Sequence, residues 1–565
     1  MIKEFFNYKK HPFRVFLITW FVLCGVFNAL IEVNGEEAYY WLFSEFPAWG
    51  YLDHPPMVAF VTAPFYWLFP NAFGLRLGML IVSILTLIII KKTLLTKDDN
   101  LLIWLILGSI MAHAGAYHVK TDVPLLFFVA LFFYYYKRYL ESDNVKTVFL
   151  LALSIAGIML SKHHGFLMVI FTVASNPNLF LRKSFWLTIL FTTLLMIPHT
   201  LWQFQNEFAT IKFHLYNRID MGFSWDTIAY YIGIQPIVFG PLVGVMLIGG
   251  TILNRNRSDF RRALRFCVVG VLLFFLISTF KVEFHKHWTS ILFIPFILLG
   301  HEYITQNVKW RLWAKRLMII SMFIIIPAKI YLAYDFLPQS WTQGWDVIHG
   351  WNSWAEEIEE LSGGLPIIFN NHYERASRYA YLTGDIVHCY NTVDYRPTHH
   401  DLLTLEEDLQ GKTVFQINRY RDTTHYNSYN TQIGKGIHYR ILEDFRSFRK
   451  VWVELLNDEV LEELNNGPIQ AQFELSNKYD HDVDFSELMG RSVKLKIYYL
   501  RGLEIIGEQT IAELDQLIAE GEVLNLDAMI EIPDLEAGSH DLRFAIEVEG
   551  IEPPINSKKY KIELE

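Results

Sequence analysis

The chain reads as a mostly helical polytopic membrane protein, with a small α/β segment and a β-rich tail behind the spans. Three observations predict this class. Apolar runs recur from residue 14 to about residue 334, each near the ~20 residues that cross ~30 Å of hydrocarbon. Over the 565 residues, 52% are hydrophobic and 16% aromatic, and the mean hydropathy is +0.22. From residue 451 the apolar residues recur with a period of two, the signature of half-buried strands.

The elements follow in order. MIKEFFNYKKHPFR is basic and leads into the spanning run Val15–Val33. No small-residue cleavage site follows, so the expectation is a signal anchor. Spans are expected at 14–33, 73–90, 101–117, 123–139, 146–161, 164–176, 185–201, 227–253, 263–280, 288–304 and 315–334, about eleven in all. Residues 57–70 read as a short re-entrant or interfacial helix. Every second loop is basic: Lys9, Lys10 and Arg14, then Lys91, Lys92 and Lys97, then Lys137, Arg138 and Lys146. Arg182 and Lys183, the group from Arg255 to Arg265, and Lys309, Arg311, Lys315 and Arg316 continue the series. Positive loops face the cytoplasm, and an odd number of spans sends the C-terminus outside.

Three regions are therefore expected: 1–339 in the membrane, 340–450 as an extracytoplasmic α/β segment, and 451–565 as a β-rich soluble domain. In the second, LPIIFNN and KTVFQIN read as strands and NHYERASRYAYLTG as a helix. In the third, VWVELL, IQAQFEL, SVKLKIYYL, VLNLDAMIEI, HDLRFAIEVE and KYKIEL alternate between turn residues. That pattern predicts a β-sandwich-like domain.

Composition also excludes. The net charge is −10, and no concentrated basic face exists to neutralise phosphates, so nucleic acid is not a partner. The cysteines are Cys24, Cys267 and Cys389, too few and too far apart for a disulfide framework or a metal-type spacing.

The non-basic loops share the outer face, and they gather the unusual ionisable residues. Asn34–Pro56 carries Glu36, Glu37, Tyr40, Asp53 and His54, closed by two prolines that fix the chain direction. Lys120 and Asp122, then Lys162 beside His163 and His164, then Lys281, Glu283, His285, Lys286 and His287 lie on the same side. Charges beside a span are expensive unless they meet water, a partner or a substrate. Plain readings exist for several. Glu37 can cap a helix through its dipole, Lys120 can snorkel to the interface, and Lys162 with its histidines can anchor there. His399-His400-Asp401 invites a metal, yet no other ligand spacing supports one.

With these residues in view, the first half resembles the GT-C glycosyltransferases of the protein mannosyltransferase type. Its bacterial polytopic members include aminoarabinose transferases. The resemblance rests on Glu36-Glu37-Ala38-Tyr39-Tyr40-Trp41, Tyr51-Leu52-Asp53-His54-Pro55-Pro56, Lys120-Thr121-Asp122-Val123-Pro124 and Leu160-Ser161-Lys162. It continues in Trp202-Gln203-Phe204-Gln205-Asn206, Gln235-Pro236 with Gly240-Pro241, and Lys281-Val282-Glu283 through His287-Trp288. It covers about residues 10–340. One position departs: the family has Asp where this chain has Glu36.

The resemblance implies a GT-C-like fold in a bacterial inner membrane and an outward-facing site. The donor would be a polyprenyl-phosphate-linked sugar, the acceptor a periplasmic lipid, glycan or protein. It assigns the catalytic carboxylate to Glu36, with Asp122 beside the acceptor or supporting the site. Glu37, Tyr40, Asp53, His54, Lys120, Lys162, Lys281, Glu283, His285, Lys286 and His287 are the candidates for holding donor phosphate or substrate. A divalent cation stays open as a cofactor, since carboxylates and histidines can hold one but nothing in their spacing requires it. Two other classes remain, a transporter or flippase of a lipid-linked saccharide and a membrane-anchored sensor. The first would place its charges at mid-membrane in broken helices; the second leaves the loop carboxylates without a task.

Overall fold

The computed structural model describes residues 9–216, 224–280, 284–342, 348–419, 425–486, 488, 490–531 and 535–564. They form two compact units, one of 1–210 with 220–349, the other of 211–219 with 350–565.

The first unit is helical and multi-pass. Five of its described helical stretches are long and apolar enough to cross a membrane: Pro12–Leu30, Ala72–Thr93, Lys183–Gln205, Lys286–Gln306 and Val308–Ala333. A sixth is the pair Trp225–Phe239 and Val243–Leu253, if its two limbs count as one. The run expected as one straight span at 227–253 is instead bent by 102°. Gly240 sits there at φ +153°, a backbone that side chains avoid, and Pro241 follows without an N–H. The run expected at 101–117 is likewise two helices, Asp99–Leu107 and Ile110–Ala114, parted at Gly108-Ser109. The two breaks meet. A Cβ on Gly240 would stand 2.6 Å from the Gly108 carbonyl oxygen, and the Ser109 hydroxyl donates to the Phe239 carbonyl at 2.6 Å.

Three local rules place the elements around residues 34–78. Asn34 and Glu37 form a capping box that starts the helix Gly35–Glu45. Pro55 and Pro56 end the loop, and the helix Met57–Leu68 begins at once. That helix packs closely on Ala72–Thr93, because a Cβ on Gly78 would lie 2.0 Å from the Val61 carbonyl oxygen. Lipid-facing surfaces show in exposed Val22, Leu23 and Val26 on the first span and Phe323 and Ile324 on the last.

The second unit contains a five-stranded sheet and three smaller ones. In the five-stranded sheet the strands run His388–Tyr390, Ile367–Asn370, Val414–Asn418, Gly436–Leu442, Asn427–Asn430. The first three are mutually parallel and the last two antiparallel. Beyond residue 450, Glu504–Glu513, Val493–Arg501, Gly538–Val548 and Tyr560–Leu564 form one antiparallel sheet. Val523–Ile530, Ile469–Asn477 and Val451–Leu455 form another. Phe473 and Leu475 from one, and Ile497, Phe544 and Ile546 from the other, share one core with Ile368 and Val414 of the parallel strands. Each such side chain contributes about 1.5–3 kcal/mol by leaving water.

Candidate functional site

The candidate site of the first unit is built on the turn that begins the helix Gly35–Glu45. Its two adjacent glutamates have different fates. Glu37 is fully buried. Its carboxylate accepts from Arg76 Nε at 2.9 Å and Nη2 at 2.7 Å, from the Val119 amide at 3.0 Å, and from Asn34 Nδ2 at 2.9 Å. Arg76 is equally sealed, and its remaining N–H groups donate to the carbonyls of Asn28, Ile31 and Glu32 at 2.8–3.0 Å. All five guanidinium donors are used. The pair ties the end of the first span to the capped helix and to the segment before Lys120. Burial raises the Glu37 pKa, but Arg76 outweighs it and holds the carboxyl far below its ordinary value.

Glu36 keeps 37% of its side chain exposed and faces Lys120, whose Nζ lies 2.8 Å from Oε2. The Tyr40 hydroxyl, one turn on, donates to Oε1 at a long 3.5 Å and lies 3.1 Å from His54 Nε2. Here too burial raises the pKa, and Lys120, with His287 and Lys162, turns the balance downward. Glu36 is therefore ionised and partly open.

Asp122 and Lys162 form a second pair, deeper than the first. Lys162 Nζ donates to Asp122 Oδ2 at 2.9 Å, with side-chain exposures of 8% and 10%. The Ser290 hydroxyl donates to the other oxygen at 2.8 Å. Helix ends favour this arrangement: Asp122 occupies the first turn of Asp122–Glu141, and Lys162 caps the C-terminus of Val145–Ser161. Asp53 is buried and accepts from the Tyr39 hydroxyl at 3.4 Å.

The structure thus brings together Glu36 with Lys120, Asp122 with Lys162, and Tyr40 with His54. His287 lies within electrostatic reach of all four charges of the two pairs. His285 and Lys286 are exposed at the start of the same short turn, with the His285 and His287 rings stacked at 5.7 Å. Lys281 and Glu283 lie outside the described residues. Among the described residues, no three His, Cys, Asp or Glu side chains converge as metal ligands, so no step is drawn through a cation. His399 and His400 belong to the second unit, both buried, with Asp401 closing a capping box on Thr398.

Three contributors escaped the sequence reading. Arg76 was legible, as a lone arginine in an apolar run. Ser290 carries no signal of its own. Neither does Gly50, where a Cβ would stand 2.2 Å from the Trp202 ring. That close approach seats the Trp49–Tyr51 turn on the helix carrying Trp202, and Thr210 donates to the Tyr51 carbonyl at 2.9 Å to hold it.

Residues 53–202, which include Asp53, His54, Lys120, Asp122 and Lys162, match the family described as dolichyl-phosphate-mannose-protein mannosyltransferase. The crystal structure of ArnT from Cupriavidus metallidurans in the apo state superposes with a TM-score of 0.53. The match covers 75% of this chain and 96% of that one at 13% identity. The fold is like that of ArnT. The likeness in fold therefore extends well beyond the segment matched in sequence. A second solved structure, the alkylpurine DNA glycosylase AlkC of Pseudomonas fluorescens bound to DNA, aligns over 86% of this chain and 97% of its own. Its 9% identity and TM-score of 0.15 give it no bearing on the GT-C fold. No curated protein sequence matches the chain.

Proposed function

We propose that this GT-C protein transfers a sugar from a polyprenyl-phosphate carrier to a hydroxyl or amine of a periplasmic lipid, glycan or protein. One observation carries the reading. Among the described candidate acids, Glu37, Asp53 and Asp122 are sealed, while Glu36 stays ionised and 37% exposed between Lys120, Lys162 and His287. That is the placement a general base needs beside a phosphate leaving group.

In the proposed step the acceptor oxygen or nitrogen attacks the anomeric carbon of the donor. The bond from that carbon to the phosphate oxygen breaks, and polyprenyl phosphate leaves with the electron pair. The acceptor proton passes to Glu36. Lys120 and Lys162, with His287 and the exposed His285 and Lys286, hold the phosphate charge as it grows. Asp122 and Ser290 orient Lys162, Tyr40 and His54 orient Glu36, and Glu37 with Arg76 sets the backbone from which Glu36 projects. The proposed setting is a bacterial inner membrane crossed about eleven times, with residues after about 335 outside.

The test is the glycan and lipid profile of a deletion strain. One sugar-bearing species should vanish, its polyprenyl-phosphate donor should accumulate, and the wild-type gene should restore both. An unchanged profile with an unchanged donor pool overturns the reading. Orientation has its own check. A cysteine introduced at exposed Leu517 should react with an impermeant maleimide added from the periplasmic side; reaction only from the cytoplasm refutes the topology.

A further inference from the structure

The second unit has its own ligand-competent edge, formed where its three parallel strands end. Strand order there is His388–Tyr390, Ile367–Asn370, Val414–Asn418. The chain leaves Ile367–Asn370 toward one neighbour, through the helix Tyr373–Thr383, and later crosses to the other. In open parallel sheets, the crevice beyond the strand ends at such a reversal is where ligands bind. Asn370 and Asn418 are register partners at this edge.

Cations converge on it. Arg419 directly follows Asn418; its Nη1 donates to the Tyr395 hydroxyl at 3.0 Å, and its guanidinium lies 5.3 Å from that ring. Arg396 stacks over Tyr373, the first residue of the helix, at 4.7 Å, with Phe213 at 5.6 Å. Arg375, on the first turn of that helix, is half-buried, and its side chain makes no hydrogen bond or ion pair among the described residues. Asn371 turns the chain into the helix at φ +56°, held there by its own side chain, which accepts from the Thr392 amide at 2.9 Å. Burial, then the charges of Arg375, Arg419, Arg378 and Lys435, push the neighbouring His372 down to about 3. Glu374 is the acid that bears on Arg375, and the Tyr373 hydroxyl donates to it at 3.3 Å.

Concentrating arginine at one edge of a chain of net charge −10 has an electrostatic cost that an anion removes. Guanidinium groups held over aromatic rings are preorganised for the oxygens of a phosphate. We infer that Arg375, Arg396 and Arg419 form a phosphate-binding site, separate from the outer-face site of the membrane unit, that takes a phosphate monoester or its lipid-linked equivalent.

Calorimetric titration of the full-length protein in detergent tests this with two probes, inorganic phosphate and dihexanoyl phosphatidic acid. Wild type should bind at least one. Arg375→Gln, which breaks no described contact, should weaken that binding about tenfold or more without changing the melting temperature. Arg396→Gln should weaken it similarly, while Lys146→Gln, at an exposed lysine of the membrane unit, should leave it unchanged. A tenfold preference for the phosphatidic acid identifies a lipid headgroup as the source, and equal affinity identifies a phosphate on a soluble or glycan ligand. Absence of binding to both probes overturns the inference. So does binding that Lys162→Gln weakens and neither arginine variant does.

Discussion

Glu36→Gln is expected to reduce sugar transfer by about 10²–10⁴-fold, the usual contribution of a positioned base, while the protein still inserts and melts as wild type does. Folding is spared because the Lys120 pair is about one-third exposed on both sides, and such pairs are worth about 0–1 kcal/mol. Glu36→Asp retains a carboxylate one methylene closer to the helix and should keep much of the activity. The pH profile adds a check whose sign is set by the environment. Lys120, His287 and Lys162 outweigh burial and lower the Glu36 pKa, so the base stays ionised through the ordinary carboxylate range. The acid limb governed by this base should therefore lie below the ordinary glutamate range, activity falling only as pH drops through the lowered pKa. Steady-state transfer to a saturating acceptor gives both readouts. Wild-type turnover in Glu36→Gln removes Glu36 from the chemistry, whatever the fold.

Much of this arrangement was legible before any coordinates, and the parts that were not share a physical reason. Period-two alternation located Ile469–Asn477 and Gly538–Val548, because one face of each strand is buried and the pattern records that face. Glu504–Glu513 was missed. It is an edge strand with two register shifts and no buried residue, so its alternation is interrupted. Hydropathy found the apolar runs but not their bends, since a break at Gly108 or Gly240 depends on a partner chain segment far away in sequence. In the site, charge segregation to one face picked out Glu36, Lys120, Asp122 and Lys162. It could not pair them, nor tell Glu36 from Glu37. That distinction depends on where a helix starts and on an arginine 39 residues away.

Arg76→Leu should be the most damaging single substitution in the membrane unit, with a loss of about 3–5 kcal/mol, the range for breaking a buried ion pair from one side. The change strands the Glu37 carboxylate at zero exposure and strips donors from the carbonyls of Asn28, Ile31 and Glu32. Glu37→Gln leaves a buried guanidinium that cannot shed its charge, so it too should destabilise, although the amide oxygen can still accept one bond. The two losses should not add. With the partner already gone, the second change removes little further, and a double-mutant cycle should show strong coupling. The pH dependence separates a charge effect from a packing effect. In wild type the Glu37 pKa is depressed, so its stabilisation is present above the unfolded pKa and is lost as pH falls through the folded one. Without Arg76 the largest lowering influence is gone, leaving burial opposed chiefly by His118, and the sign should reverse: Arg76→Leu is worst at neutral pH and recovers as acid protonates Glu37. Melting of the detergent-solubilised variants at pH 7 and at mildly acidic pH measures this directly. A variant that melts with wild type at pH 7, or whose deficit stays constant with pH, shows that the charge on Glu37 does not hold this turn in place.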